Sequence, residues 1–197
     1  MIITLWNYKG GVGKSTISII LAEIAASNGL RTIAVDLDDQ HTLTHALGLT
    51  GSLFKTIEVR SALTDFRDAD ITIVDTHQTL DNLTINALKA ADFVLVPVLP
   101  DYFSILNLRH SWNYLHDVRG SDEHTFLVKN SMTNIKFAAD IEQALDAQAY
   151  PVAGRLPLSN ILMRNIASGK RWNWSMRSLH RQCFIRLFNF LREAHNV

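Results

Sequence analysis

Apolar positions along this chain follow two alternating patterns. Ile2–Trp6, Thr32–Val35, Ile71–Val74, Phe93–Val98 and Thr125–Val128 are short, nearly continuous apolar runs. Runs of this kind suit strands covered on both faces, as in a parallel sheet. Between them the apolar residues recur every three to four positions. Ser15–Ser27 places Ile17, Ile20, Leu21, Ile24 and Ala25 on one helical face, and Asn28-Gly29 supplies a left-handed stop. Further helices are predicted at roughly 81–91, 103–118 and 135–149, and a last one at about 176–194 with Leu179, Cys183, Leu187 and Leu191 on its buried face. Strand–helix alternation implies an α/β fold: a doubly wound, mostly parallel sheet flanked by helices, with ligands at the carboxyl ends of the strands. No linker, repeat or low-complexity tract breaks the pattern, so residues 1–197 are read as a single domain.

Composition narrows the function classes. With 47% hydrophobic and 19% charged residues the chain can build a core, which excludes a disordered protein. No apolar run approaches the ~20 residues that span a bilayer. Met1 leads straight into an apolar strand, without the basic region of a secretory signal, so a cytoplasmic location is expected. A single cysteine, Cys183, excludes an internal disulfide or a multi-cysteine metal cluster within one chain. Net charge is zero, but residues 1–163 carry 12 Lys/Arg against 18 Asp/Glu, whereas the segment from about 164 to 197 carries 7 against 1. Such asymmetry points to a polyanion or an acidic surface as partner of the C-terminal segment.

The chemistry concentrates at the first strand–helix junction, Asn7-Tyr8-Lys9-Gly10-Gly11-Val12-Gly13-Lys14-Ser15-Thr16. Glycines let backbone N–H groups curl around phosphate oxygens, and the N-terminus of the following helix adds a favourable field. Lys14 is placed to reach the β/γ-phosphates and Ser15 to ligate Mg²⁺. Three glycines and two lysines in eight residues have no packing rationale, so the segment reads as a P-loop for ATP.

Tyr8 stands where the general P-loop pattern has its first glycine. Lys9–Thr16 instead resembles the deviant P-loop of the ParA/MinD family, K-G-G-x-G-K-[ST]-[ST], at every fixed position. Asp36-Leu37-Asp38-Asp39-Gln40 resembles that family's D-x-D-P-Q segment, and Leu83–Ala91, Asp92–Pro100 and Tyr102-Phe103 resemble its N-A-L-x-A-A-D-x-V-L-I-P-V-x-P-x-x-F segment. The resemblance runs from residue 1 to about 110 and is only architectural beyond. It implies an ATPase, slow without a partner, whose nucleotide is held by Lys9, Gly10, Gly11, Val12, Gly13, Lys14, Ser15 and Thr16. Lys9 would reach across a nucleotide-sandwich homodimer to the partner's phosphates, Asp38 would orient the attacking water, and Asp36 and Asp75 would support Mg²⁺ through water. The short interval from Asp38 to Asp75 is similar to the small plasmid-type ParA proteins. That implies ATP-dependent DNA binding, a small centromere-binding (ParB-like) partner and a nucleoid-associated role in segregation or cargo positioning. Two departures, Asp39 for the family's proline and His77-Gln78 for Pro-Pro after Asp75, remove restraints from both switch segments.

Other residues carry weaker signals. His41 and His45 are one helical turn apart beside three aspartates, and His77 follows the Ile71–Asp75 strand, which resembles a Walker B strand; all three read as surface features before they read as ligands. Adenine contacts are expected from late loops near Asn130 and Pro157. Lys170, Arg171, Arg177 and Arg181, interleaved with Trp172 and Trp174, form a candidate DNA-binding surface. The aromatic, basic run Phe184–Arg192 resembles MinD's membrane-targeting tail, so a MinD-like ATPase acting at the membrane surface is the alternative.

Overall fold

The computed structural model describes residues 1–49, 57–61, 69–159 and 178–195. Its elements in chain order are β1 (Ile2–Leu5), α1 (Lys14–Ser27), β2 (Thr32–Asp36), α2 (Thr42–Leu49), β3 (Ile57–Arg60), β4 (Ile71–Asp75), α3 (Asn82–Ala90), β5 (Phe93–Val98), α4 (Tyr102–Arg119), β6 (Thr125–Met132), α5 (Lys136–Asp146), β7 (Val152–Pro157) and α6 (Leu179–His195). The strands form one seven-stranded sheet in the order β3-β2-β4-β1-β5-β6-β7, every pairing parallel.

Central strands bury both faces, which is why β1, β2, β4 and β5 read as unbroken apolar runs. Helices α1, α2 and α6 cover one side through Ile17, Leu21, Leu43, Leu47, Phe184 and Leu187. Helices α3, α4 and α5 cover the other through Leu88, Leu108, Trp112, Ile141 and Leu145. α1 is buried nearly all round because it lies between the sheet and both α2 and α6. Its end follows the expectation: Gly29 takes φ +79° and donates to Ala26 O.

The last helix corrects one expectation. Its buried residues are Phe184, Leu187, Phe188 and Leu191, while Leu179 is exposed and Cys183 is only partly covered. A stripe stepping strictly by four drifts ~40° per step around a helix of 3.6 residues per turn, so contact with a flat sheet requires mixed steps of three and four. Two strands, β3 and β7, have no counterpart in the apolar runs. Both are edge strands with partly exposed, mixed sequences, Ile57-Glu58-Val59-Arg60 and Val152–Pro157. Among the described residues, no helix is long and apolar enough to cross a membrane.

Candidate functional site

The strand order assembles the site. β1 lies between β4 and β5, where the chain switches from one half of the sheet to the other, and a crevice opens at the carboxyl ends of strands at such a point. Register places Leu5 opposite Asp75, and Asp75 opposite Asp36. Two buried acidic groups therefore end level with the start of the glycine-rich loop.

Backbone and side-chain hydrogen bonds together tie down the start of that loop. Trp6 N–H donates to Leu95 O, Thr76 Oγ1 to Leu5 O, and Asn7 Nδ2 to Pro97 O at 2.7 Å. Asn7 Oδ1 in turn accepts the Lys9 N–H at 2.9 Å. Gly11 and Gly13 take φ +72° and +96°, a region that costs L-residues about 1–2 kcal/mol. Gly13 is also the N-cap of α1, and it brings no capping side chain. The first N–H groups of α1 are thus left for an outside acceptor, as an anion site requires.

Two amides close over the loop. Asn130 Nδ2, from the end of β6, donates to Val12 O at 2.8 Å and occupies the space a Cβ on Gly13 would need. Gln78 Oε1 occupies the space a Cβ on Gly10 would need. The loop lines a cleft of about 430 Å³ with Lys14, Ser15, Thr16, Asp38, Gln40 and His77 around it.

The charges in this cleft are strained by burial. Lys14 is 7% exposed; desolvation lowers its pKa, and the Asp75 and Asp38 carboxylates only partly restore it. Asp75 is fully buried, and neither of its oxygens has a hydrogen-bond partner. Burial pushes its carboxyl up to about 7; the nearby Ser15 hydroxyl, outside hydrogen-bond geometry, pulls the other way, Asp36 adds repulsion, and Lys14 opposes it. Orphaned buried carboxylate oxygens beside a hydroxyl are what the water shell of a Mg²⁺ would satisfy. The residues present fit a magnesium-bound polyphosphate.

Asp36 differs from Asp75 in being engaged. Its Oδ2 accepts from Thr44 N–H and Oγ1 at 2.8 and 2.7 Å, and its Oδ1 from Asp38 N–H at 3.2 Å. It thereby fixes the start of α2 and the turn carrying Asp38, whose Oδ1 accepts the Gln40 N–H. Lys9 is held by Asp101 at the start of α4, with Nζ to Oδ2 at 2.6 Å. His41 and His45 are exposed on this turn and helix. His77 lines the cleft, its Nδ1 accepting the Thr79 N–H at 3.2 Å. Of the candidate DNA-binding residues, Arg181 stands in the first turn of α6; Lys170, Arg171 and Arg177 lie outside the described residues. The sequence reading named Asn130 only as marking a loop expected near adenine and did not foresee its bond to Val12 or that of Asp101 to Lys9, because pairings across 118 and 92 positions leave no local signal.

Known proteins share this fold. Residues 3–172 match the profile of the CobQ/CobB/MinD/ParA nucleotide binding domain. The chromosome-partitioning ATPase Soj of Thermus thermophilus is 28% identical, the alignment covering 83% of this chain and 81% of that protein. The chromosome partitioning protein ParA of Myxococcus xanthus is 31% identical over 54% of this chain and 55% of its own length. Among solved structures, a Borrelia burgdorferi protein assigned to plasmid partition, bound to AMPPNP, superposes with a TM-score of 0.81 at 19% identity over 98% of both chains. The cell division ATPase MinD of Pyrococcus furiosus superposes at 0.75 with 16% identity over 98% of both. A match over this much of the chain, joined to the doubly lysine-flanked glycine loop, shows that it belongs to the CobQ/CobB/MinD/ParA family of P-loop nucleotide-binding ATPases.

Proposed function

We propose that this chain is a ParA-type ATP-driven switch. Two copies close around two ATP·Mg²⁺, the dimer binds DNA without sequence preference, and partner-stimulated hydrolysis resets it, moving a plasmid, chromosome or other cargo over the nucleoid. The observation that carries the reading is the uncapped start of α1 together with the buried, unpartnered Asp75, whose charge acts on Lys14.

Within this reading the backbone of Gly10–Gly13 and the side chains of Lys14 and Thr16 bind the phosphates. Ser15 would hold Mg²⁺, and Asp75 would order its water shell. Asp36 has acceptor capacity left only on Oδ1, so it assists through water while positioning the Asp38 turn. Bound Mg²⁺ supplies charge neutralisation across the β- and γ-phosphates. Asp38 orients the attacking water, and Lys9 from the opposite chain adds a second ammonium at the developing charge. Only a state that contacts the terminal phosphate distinguishes ATP from ADP, so dimer closure supplies the coupling. Relatives named for chromosome partitioning support the segregation role, with a small ParB-like centromere-binding protein as the stimulating partner. Residues 1–197 act as one domain, and its basic C-terminal segment, with Lys170, Arg171, Arg177 and Arg181, carries the DNA contact.

The membrane-surface alternative asks the aromatic face of α6 to enter a bilayer. Phe184, Leu187, Phe188 and Leu191 are instead buried in the core beneath α1 and β7, which favours the DNA reading. Calorimetry tests the foundation: Mg²⁺-dependent affinity for both ATP and ADP is expected, and no heat with either nucleotide refutes the proposal. Sedimentation of Lys9→Ala tests the sandwich, which fails if that variant still dimerises on ATP.

A further inference from the structure

Lys9 is anchored at its backbone and docked at its side chain. The Asn7 carboxamide fixes its N–H relative to β1. Its ammonium lies on the first turn of α4, 2.6 Å from Asp101 Oδ2 and 3.5 Å from Ser104 Oγ. Asp101 is preset for this contact. As the N-cap of α4 it uses Oδ1 to accept the Ser104 N–H at 2.8 Å, which leaves Oδ2 facing the lysine. Burial pushes the Asp101 carboxyl up, but the hydrogen bonds from Lys9 and the Ser104 amide outweigh it and hold the group below the ordinary carboxylate range. The two side chains are 25% and 33% exposed, so the pair is partly withdrawn from water. Tyr8 packs edge-on against His110 of the same helix at 5.8 Å between ring centroids. Both residues preceding Gly10 are therefore docked on α4.

One ammonium cannot serve this carboxylate and a phosphate of a second chain at full strength together. We infer that Asp101 is an intramolecular latch: it holds Lys9 in the monomer, competes with the partner chain's nucleotide for it, and so sets the threshold for ATP-dependent dimerisation. The inference rests on the sandwich reading above and adds to it an acceptor inside the same chain. A partly exposed ion pair of this kind is worth about 5-fold in an equilibrium constant. A symmetric dimer opens two latches, so the dimer dissociation constant should be raised about 25-fold by them. ADP, without the terminal phosphate, is the weaker competitor, so the latch also sharpens discrimination between the nucleotides.

Asp101→Asn is the informative variant, because asparagine caps a helix as well as aspartate does but carries no charge. Sedimentation with ATP and Mg²⁺ should show a dimer about 25-fold tighter than wild type, and Asp101→Glu, which keeps the charge, should stay near wild type. In the nucleotide-free monomer, acylation of the Lys9 amine by an amine-reactive ester, read by peptide mass, should accelerate in Asp101→Asn and not in Asp101→Glu. An unchanged or weakened ATP dimer in Asp101→Asn overturns the latch, as does an unchanged labelling rate. If neither wild type nor variant dimerises on ATP, the sandwich reading has failed, and labelling alone then decides whether Asp101 holds Lys9.

Discussion

Asp75 offers a quantitative test of the site that needs no ligand. Asp75→Asn keeps the shape of the side chain and removes its charge. In the folded, nucleotide-free protein burial raises the carboxyl from 3.8 to about 7, whereas an unfolded chain titrates near its ordinary value of about 3.9. The folded state then keeps a proton that the unfolded state has already released. Stability from this group is fully present below about pH 4, falls as pH rises toward the folded value, and is lost above about pH 7. The slope is about 1.4 kcal/mol per pH unit, so wild type loses roughly 2–3 kcal/mol between about pH 5 and 7.5 through this group alone. For a chain of this size that corresponds to roughly 5–10 °C in melting temperature. Circular dichroism melts of wild type and Asp75→Asn in EDTA, without nucleotide, measure it directly. Other titrating groups cancel in the difference between the two proteins. The advantage of Asp75→Asn should widen by that amount from the lower to the higher pH. A difference that does not move with pH would refute the claim that Asp75 is buried without partners.

Three further outcomes follow from the same geometry. Lys14→Ala should weaken ATP binding in calorimetry roughly 30- to 150-fold, the loss of a charge-assisted contact of about 2–3 kcal/mol, with nucleotide-free stability largely kept. Gly13→Ala forces an L-residue to φ +96° and displaces Asn130 from Val12 O; the combined cost of about 2–3 kcal/mol should lower the melting temperature by roughly 5–10 °C and abolish nucleotide affinity. DNA binding by the ATP dimer should weaken roughly 10³- to 10⁴-fold between ~50 and ~200 mM salt if ~3–4 phosphates are neutralised per protomer, and Arg177→Ala with Arg181→Ala should flatten that slope in a mobility-shift assay.

The parts of the site legible in the sequence were those whose chemistry is local. Three glycines before a helix and two lysines five residues apart, Lys9 and Lys14, are recognisable in a window of eight residues, whatever the rest of the chain does. Buried central strands announced themselves for a similar reason, since covering both faces leaves no polar position. The edge strands β3 and β7 did not, because half their surface faces solvent and tolerates Glu58, Arg60 and Arg155. The orientation of α6 was also misread: a flat sheet selects residues by helical angle, and Leu179 falls outside the arc.

By itself, then, the order of residues determined at which strand–helix junction a glycine-rich loop with flanking lysines would form, since backbone conformation and helix ends act over a few bonds. What it left open was how the acidic groups divide the work. Asp36 and Asp75 both close apolar strands, and only the packing of α2 onto β2 satisfies one through Thr44 while leaving the other bare. Likewise Lys9 is a plain loop cation until the sheet brings Asp101 to it from 92 positions away. Hydrogen-bond satisfaction and desolvation depend on neighbours in space, and those exist only once the strands have chosen their order.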